Sequence, residues 1–220
     1  GLIKRDVSRI VTAGTLTDDR LLKDRESNVL AALCLRTGEV GVAVVELVGG
    51  RFEVLEAARE ALVDELSRLQ PAEILVEDAP GNPAVEIVES LRQMFPITLT
   101  RRAAHEFALH HAERTLLEHF SVATLSGFGF AEMDASLCAA GAIVRYLRET
   151  QRCQVEHLST LTRRVGQEYV QIDQSTWRSL EITQTLRGAA REGSLLHAVD
   201  RTVHAMGGRT LRRWLASPLR

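Results

Sequence analysis

Three apolar runs joined by two tight turns, two more apolar runs alternating with helical periodicity, and a last stretch (151–220) without strand signals predict a mixed α/β sheet followed by an all-α segment. Asn28 to Leu35 is the first strand candidate. After a turn at Gly38, Val40 to Val48 is apolar at nearly every position, so it is expected to be buried on both faces. Gly49-Gly50 is a hairpin signal, and Phe52, Val54 and Leu55 return as a third strand. The period then changes. Ala57, Ala58, Ala61, Leu62, Leu66 and Leu69 recur at helical spacing up to Pro71, and Glu73 to Val76 is a short buried strand. The loop APGNP (79–83) puts Pro83 in the first turn of a helix continuing from Ala84 to Met94, and Ile97 to Leu99 is a fifth strand. Two long helical patterns follow, Ala104 to Phe120 and Glu132 to Thr150, separated by SGFGF (126–130).

The turns between the first three strands are too short for a crossover, so those strands form an antiparallel meander. The last two join through right-handed helical crossovers. The expected product is a mixed five-stranded sheet with helices on its faces, the topology of the ribonuclease-H-like fold. Residues 1–26, with Val7, Ile10, Val11 and then AGTLTDDRLL (13–22), read as an irregular linker. Strand signals stop near Gln151, which divides the chain into 1–26, an α/β domain over 27–150, and a helical segment over 151–220, with the boundary between 148 and 156.

Composition sets the class. With 220 residues, 45% hydrophobic and 25% charged, the chain suits a soluble globular protein. No apolar run approaches the ~18 residues of a membrane span, and GLIKRDVSRIV lacks the order of a signal peptide, so a cytoplasmic, non-membrane protein is expected. Cys34, Cys138 and Cys153 are far apart in sequence with no C-x-x-C, which argues against disulfides and a thiolate zinc site. The net charge of -2 is uneven: residues 1–150 carry 16 Lys+Arg against 23 Asp+Glu (-7), and residues 151–220 carry 11 against 6 (+5). Arginines solvating helix faces account for that excess; a small basic nucleic-acid binder is the weaker alternative.

The end of the chain shows the strongest helical pattern. Gly193-Ser194 supplies a turn and an N-cap; Leu195, Leu196, Val199, Val203 and Met206 form one apolar stripe. Gly207-Gly208 reads as a joint, and Leu211, Trp214, Leu215 and Leu219 form a second apolar set that Pro218 ends. Arg201, His204, Arg209, Arg212 and Arg213 lie outside the stripe. The pair is an amphipathic hairpin whose apolar side has no partner later in the sequence.

Little in the chain points to chemistry. A nuclease on such a sheet would gather carboxylates around two metal ions, and the candidates are Glu46, Glu77 or Asp78, and Asp134. One carboxylate per element is unremarkable among 29, and the first strand offers none. HEFALHH (105–111) is not a zinc helix: His105 and His110 are five apart, roughly 140° around a helix, and Leu109 holds the position a ligand would need. Phosphate-binding glycine loops and a recognisable serine or cysteine nucleophile are absent. The sequence therefore predicts no catalytic, metal or cofactor residues.

Six blocks in order carry a resemblance: RIVTAGTLTDDRLL (9–22), HFSVATLSGFGF (119–130), AAGAIVRYLRETQ (139–151), HLSTL (157–161), IDQSTWRSLEI (172–182) and DRTVHAMGGRTLRRWLASPLR (200–220). Together they resemble the MutS family of DNA mismatch-repair ATPases over nearly the whole chain. Ala13 departs from the family, where proline is frequent, and so does Trp177-Arg178-Ser179-Leu180-Glu181. The resemblance implies that 1–26 leaves a mismatch-reading domain, that 27–150 is the connector domain and that 151–220 opens the helical core. It also implies a parent protein that binds mismatched double-stranded DNA, uses ATP and magnesium, acts as a homodimer and meets MutL; this segment would itself be non-catalytic. Asp200, Thr202, Met206, Gly207, Leu211, Trp214 and Pro218 match the family's core motif, with Gly207 permitting close approach or a break, Pro218 stopping a helix and Trp214 filling a core.

Overall fold

The computed structural model describes residues 10–16, 28–36, 38–151, 155–188 and 190–220. Most of the expected 1–26 linker, and Cys153, lie outside the described residues. Strands β1 (Leu30–Arg36), β2 (Glu39–Glu46) and β3 (Arg51–Ala57) form the expected antiparallel meander. Strands β4 (Glu73–Asp78) and β5 (Thr98–Ala103) are added in parallel beside β1. The sheet order is β5-β4-β1-β2-β3-β6, so the sheet has six strands and not the expected five. The sixth, β6 (Thr162–Arg163), pairs parallel with Glu53 and Val54 of β3 and comes from the segment expected to be purely helical. Two polar residues show no periodicity; their strand character comes from the edge they meet.

Alternation explains the two cores. Leu30, Ala32, Cys34, Ala43, Val45 and Leu75 point to one face, where α3 (Leu109–Phe120) and α4 (Ala135–Gln151) cover them. Ala31, Leu33, Val42, Val44, Ile74 and Val76 point to the other, under α1 (Leu62–Leu69) and α2 (Pro83–Arg92). Both parities are apolar because both faces are covered. Asn82 caps α2, accepting from Ala84 N at 3.0 Å, with Pro83 following. Helix α4 is rich in small residues and lies close to its neighbours: a Cβ on Gly141 would stand 2.5 Å from Ala112 of α3.

The expected continuous helix from Ala104 to Phe120 is broken. Ala104–Phe107 is a 3₁₀ turn, Ala108 is extended (φ -68°, ψ 135°), and α3 starts at Leu109. The break lets Phe107 turn into the core, where it is fully buried.

Among its described residues the C-terminal segment carries three α-helices, α5 (Gln174–Ser179), α6 (Leu195–Val199) and α7 (Ala205–Ala216). Asp173 caps α5 and Ser194 caps α6 through their side-chain oxygens. The glycine joint is corrected: Gly207 and Gly208 lie inside α7, and the chain turns at Asp200–His204. There the Asp200 carboxylate accepts from the Thr202 N–H (2.8 Å) and hydroxyl (2.7 Å), a local turn that competes with helix. Gly207 serves close approach, since a Cβ there would lie 3.3 Å from Cβ of Thr202. Among the described residues no helix is long and apolar enough to cross a membrane.

Candidate functional site

Two clusters of polar contacts tie the flanking segments to the sheet. The first centres on Glu73, at the start of β4, which is 1% exposed. It shares the parity of Leu75 and therefore points toward α4. Its Oε1 accepts from the hydroxyls of Thr100 on β5 (2.6 Å) and Tyr146 on α4 (2.6 Å). Its Oε2 accepts from the Thr12 hydroxyl (2.6 Å) and the Gly14 N–H (2.8 Å), both in the segment 10–16. Four donors hold a carboxylate that burial alone would penalise by several kcal/mol. Burial, and then the hydrogen bond to Glu73, push the Tyr146 phenol up to about 12. The same segment reaches the end of α4: Ile10 N–H donates to Thr150 O (2.8 Å), and the Gln151 amide donates to Ile10 O (3.2 Å).

The second cluster is an arginine seam fastening residues 155–220 along β3 and α1. Val155, Leu158 and Leu161 enter the core under α3 and α4, while His119 and His157 donate to Leu158 O and Leu47 O, each at 2.8 Å. Arg164 N–H donates to Val54 O (2.8 Å); its guanidinium lies 4.4 Å from the Tyr169 ring centre and reaches Glu65 (3.4 Å) and Ser217 (3.0 Å). Arg68, also paired with Glu65, has its pKa lowered, first by burial and against the pull of Glu65. Arg212 donates to Gln70, the left-handed cap of α1 (φ 45°), and Arg209 lies 3.7 Å from Glu46. Residues 218–220 run antiparallel to 168–170, with Val170 N–H donating to Pro218 O (2.9 Å) and Arg220 N–H to Glu168 O (3.0 Å).

The carboxylates weighed for metal do not converge. Glu46 pairs with Arg51 and Arg209, Asp78 with Arg101 (3.5 Å), and Asp134 with Arg163. Burial would raise the Asp134 pKa, but hydrogen bonds from Ser136, Arg163 and the Leu137 N–H lower it. No group of three or more potential ligands among the described residues could hold a metal ion. The break at Ala108 removes the helical geometry on which His105 and His110 were separated: the His105 and His111 rings are 5.6 Å apart, those of His110 and His111 4.3 Å. Sequence distance also concealed that the buried thiols of Cys34 and Cys138 are neighbours, hydrogen-bonded to each other and facing Arg36; neither is in a disulfide.

The core-motif residues separate into two sets. Asp200, Thr202 and Gly207 build the turn between α6 and α7, and the Pro218 carbonyl joins the seam. Met206 and Trp214 point outward, each 64% exposed, and Leu211 is half-buried. With Leu195, Val199, Val203 and Leu219 they leave an apolar side open on the helical segment.

The sheet, the segment 10–16 and the seam define an α/β domain to which a helical segment is fastened along one sheet edge, with ion-paired carboxylates and an outward apolar helix face. The description MutS domain II matches residues 28–159, and MutS domain III matches residues 175–220. The chain belongs to the MutS family. It is 39% identical, over its full length, to DNA mismatch repair protein MutS of Symbiobacterium thermophilum, of which it covers 25%. It is 41% identical, again over its full length, to the proteins of the same name from Rhodopirellula baltica and Thermosynechococcus vestitus, covering 26% of each. The chain thus spans about a quarter of the length of the curated relatives it matches.

Proposed function

We propose that this chain is the connector domain, with a ribonuclease-H-like sheet, and the opening of the helical core of a DNA mismatch-repair ATPase. It couples mismatch reading to the nucleotide state without reacting itself, and it offers a surface to MutL. The parent protein binds mismatched double-stranded DNA as a homodimer and holds ATP and magnesium in a part beyond this chain. The observation that carries the reading is the ordered match to both MutS domains across one polypeptide. The seam supports a mechanical role, because Arg164 and Arg68 share Glu65 at the junction of the two parts. A rigid junction passes a displacement from one part to the other, which a floppy linker would absorb.

The test uses the full-length protein with matched and mismatched duplexes. Arg164→Ala opens the seam at Glu65 and Ser217. Mismatch binding should be retained and the dependence of ATP turnover on the mismatch lost. Manganese-dependent cleavage of nucleic acid by this chain, abolished in Glu46→Ala or Asp134→Ala, would replace this reading with a nuclease.

A further inference from the structure

We propose that residues 10–16 are a releasable strap, with the buried Glu73 carboxylate as its lock. The inference goes beyond the coupling reading and stands on geometry alone. The two oxygens of Glu73 serve different bodies. Oε1 is held within the domain by Thr100 and Tyr146; Oε2 is held entirely by the strap, through Thr12 and Gly14. The strap adheres chiefly by polar contacts. Ile10 and Val11 are half-exposed and Leu16 is partly buried, whereas Gly14 and Thr15 are buried. Thr15 folds the strap on itself, its hydroxyl accepting from the Thr12 N–H at 2.9 Å. Gly14 fits because it lacks a side chain: a Cβ would stand 2.8 Å from Cβ of Glu73, 2.9 Å from Leu30 and 3.0 Å from Glu73 Oε2.

Such a contact has two states. Docked, the strap satisfies Oε2 and holds Ile10 against Thr150 and Gln151 at the end of α4. Released, it leaves Oε2 to water while Thr100 and Tyr146 keep the carboxylate in place, so the sheet survives undocking. A pull on the chain before Ile10 is thereby delivered to the last turn of α4, the place where the polypeptide leaves for the helical segment.

Hydrogen exchange on the full-length protein tests the lock. Thr12→Val and Gly14→Ala should speed exchange of the Ile10 and Gly14 amides by about tenfold or more, with β1 and β4 still protected. Thr100→Val removes a donor from Oε1 on the side away from the strap and should leave strap exchange close to wild type. Glu73→Gln should free the strap as Thr12→Val does. Strap amides unchanged in Thr12→Val and Gly14→Ala would overturn the proposal. So would equal loss of protection in strap and sheet, or a strap freed as fully by Thr100→Val.

Discussion

A Cβ on Gly41 would come within 2.0 Å of the carbonyl carbon of Ala135, so the first turn of α4 rests directly on the β2 backbone. The obstruction would be main chain at Ala135 and Ser136, not the end of a flexible side chain that can rotate away. Gly41→Ala should therefore cost about 3 kcal/mol or more, or prevent folding, as read by urea denaturation. A loss under about 0.5 kcal/mol would mean that α4 stands further from the sheet.

Ser121 gives the opposite sign. It ends α3 in the left-handed region at φ 54°, a conformation that favours glycine. Its side chain is exposed. Ser121→Gly should stabilise the chain by about 0.5–1 kcal/mol and raise Tm, because the left-handed strain it relieves outweighs the added freedom of the unfolded chain.

Tyr146 and Glu73 form a buried donor–acceptor pair at 2.6 Å. Tyr146→Phe deletes the donor and should cost about 1–3 kcal/mol. The pH dependence follows from the raised phenol. Since the folded value of about 12 lies above the ordinary 10, its contribution is complete below pH 10 and disappears as the pH rises toward 12. In a Tyr169→Phe background, phenolate absorbance should appear together with loss of circular dichroism. Ionisation near pH 10 with the fold intact would contradict the buried pair.

His119 titrates at the other end of the scale. Burial first, then Arg148 and His157, lower its pKa below 6.5, against the Leu158 carbonyl that accepts from its ring. The folded chain therefore binds fewer protons than the unfolded chain in this window. Stability is complete above pH 6.5 and falls as the pH drops through the lowered value. Thermal melts between pH 7 and 5.5 should show the decline, and His119→Gln, which keeps an N–H donor, should flatten it. An unchanged slope would remove His119 as the cause.

Trp214 tests the open side of α7. With 64% of its surface exposed, Trp214→Ala should change the stability of this chain by no more than about 0.5 kcal/mol. In the full-length protein the same substitution should cost about 3–5 kcal/mol, the value for a filled aromatic site. Equal effects in both would mean that no further segment covers this side.

The α/β body was legible because its signals are local. Val40 to Val48 announced a strand buried on both faces, and helices α1–α4 on two sides are the reason. What could not be read depends on partners distant in sequence. Thr162 and Arg163 become a strand only beside Val54. Ala108 breaks a helical pattern because Phe107 must turn inward, and an alanine gives no warning of that. Gly207-Gly208 reads as punctuation, yet both are helical, and Gly207 makes room for Thr202. The actual turn was encoded by Asp200 and Thr202, two residues apart. Glu73 passed as a strand member; a carboxylate at the head of the apolar run EILV was the one visible sign of a buried polar centre.

The 2.8 Å hydrogen bond from Ile10 to Thr150 places the arriving and departing ends of the α/β body side by side. A unit so arranged is entered and left at one point of its surface. Exchanging it for the equivalent unit of a relative requires that Val155, Leu158, Leu161 and β6 travel with it, because they belong to its core and its sheet. Chimaeras joined at Ile10 and after Arg164 should therefore tolerate greater divergence than those joined at Gln151 or spliced within β3, where a cut would divide the sheet itself.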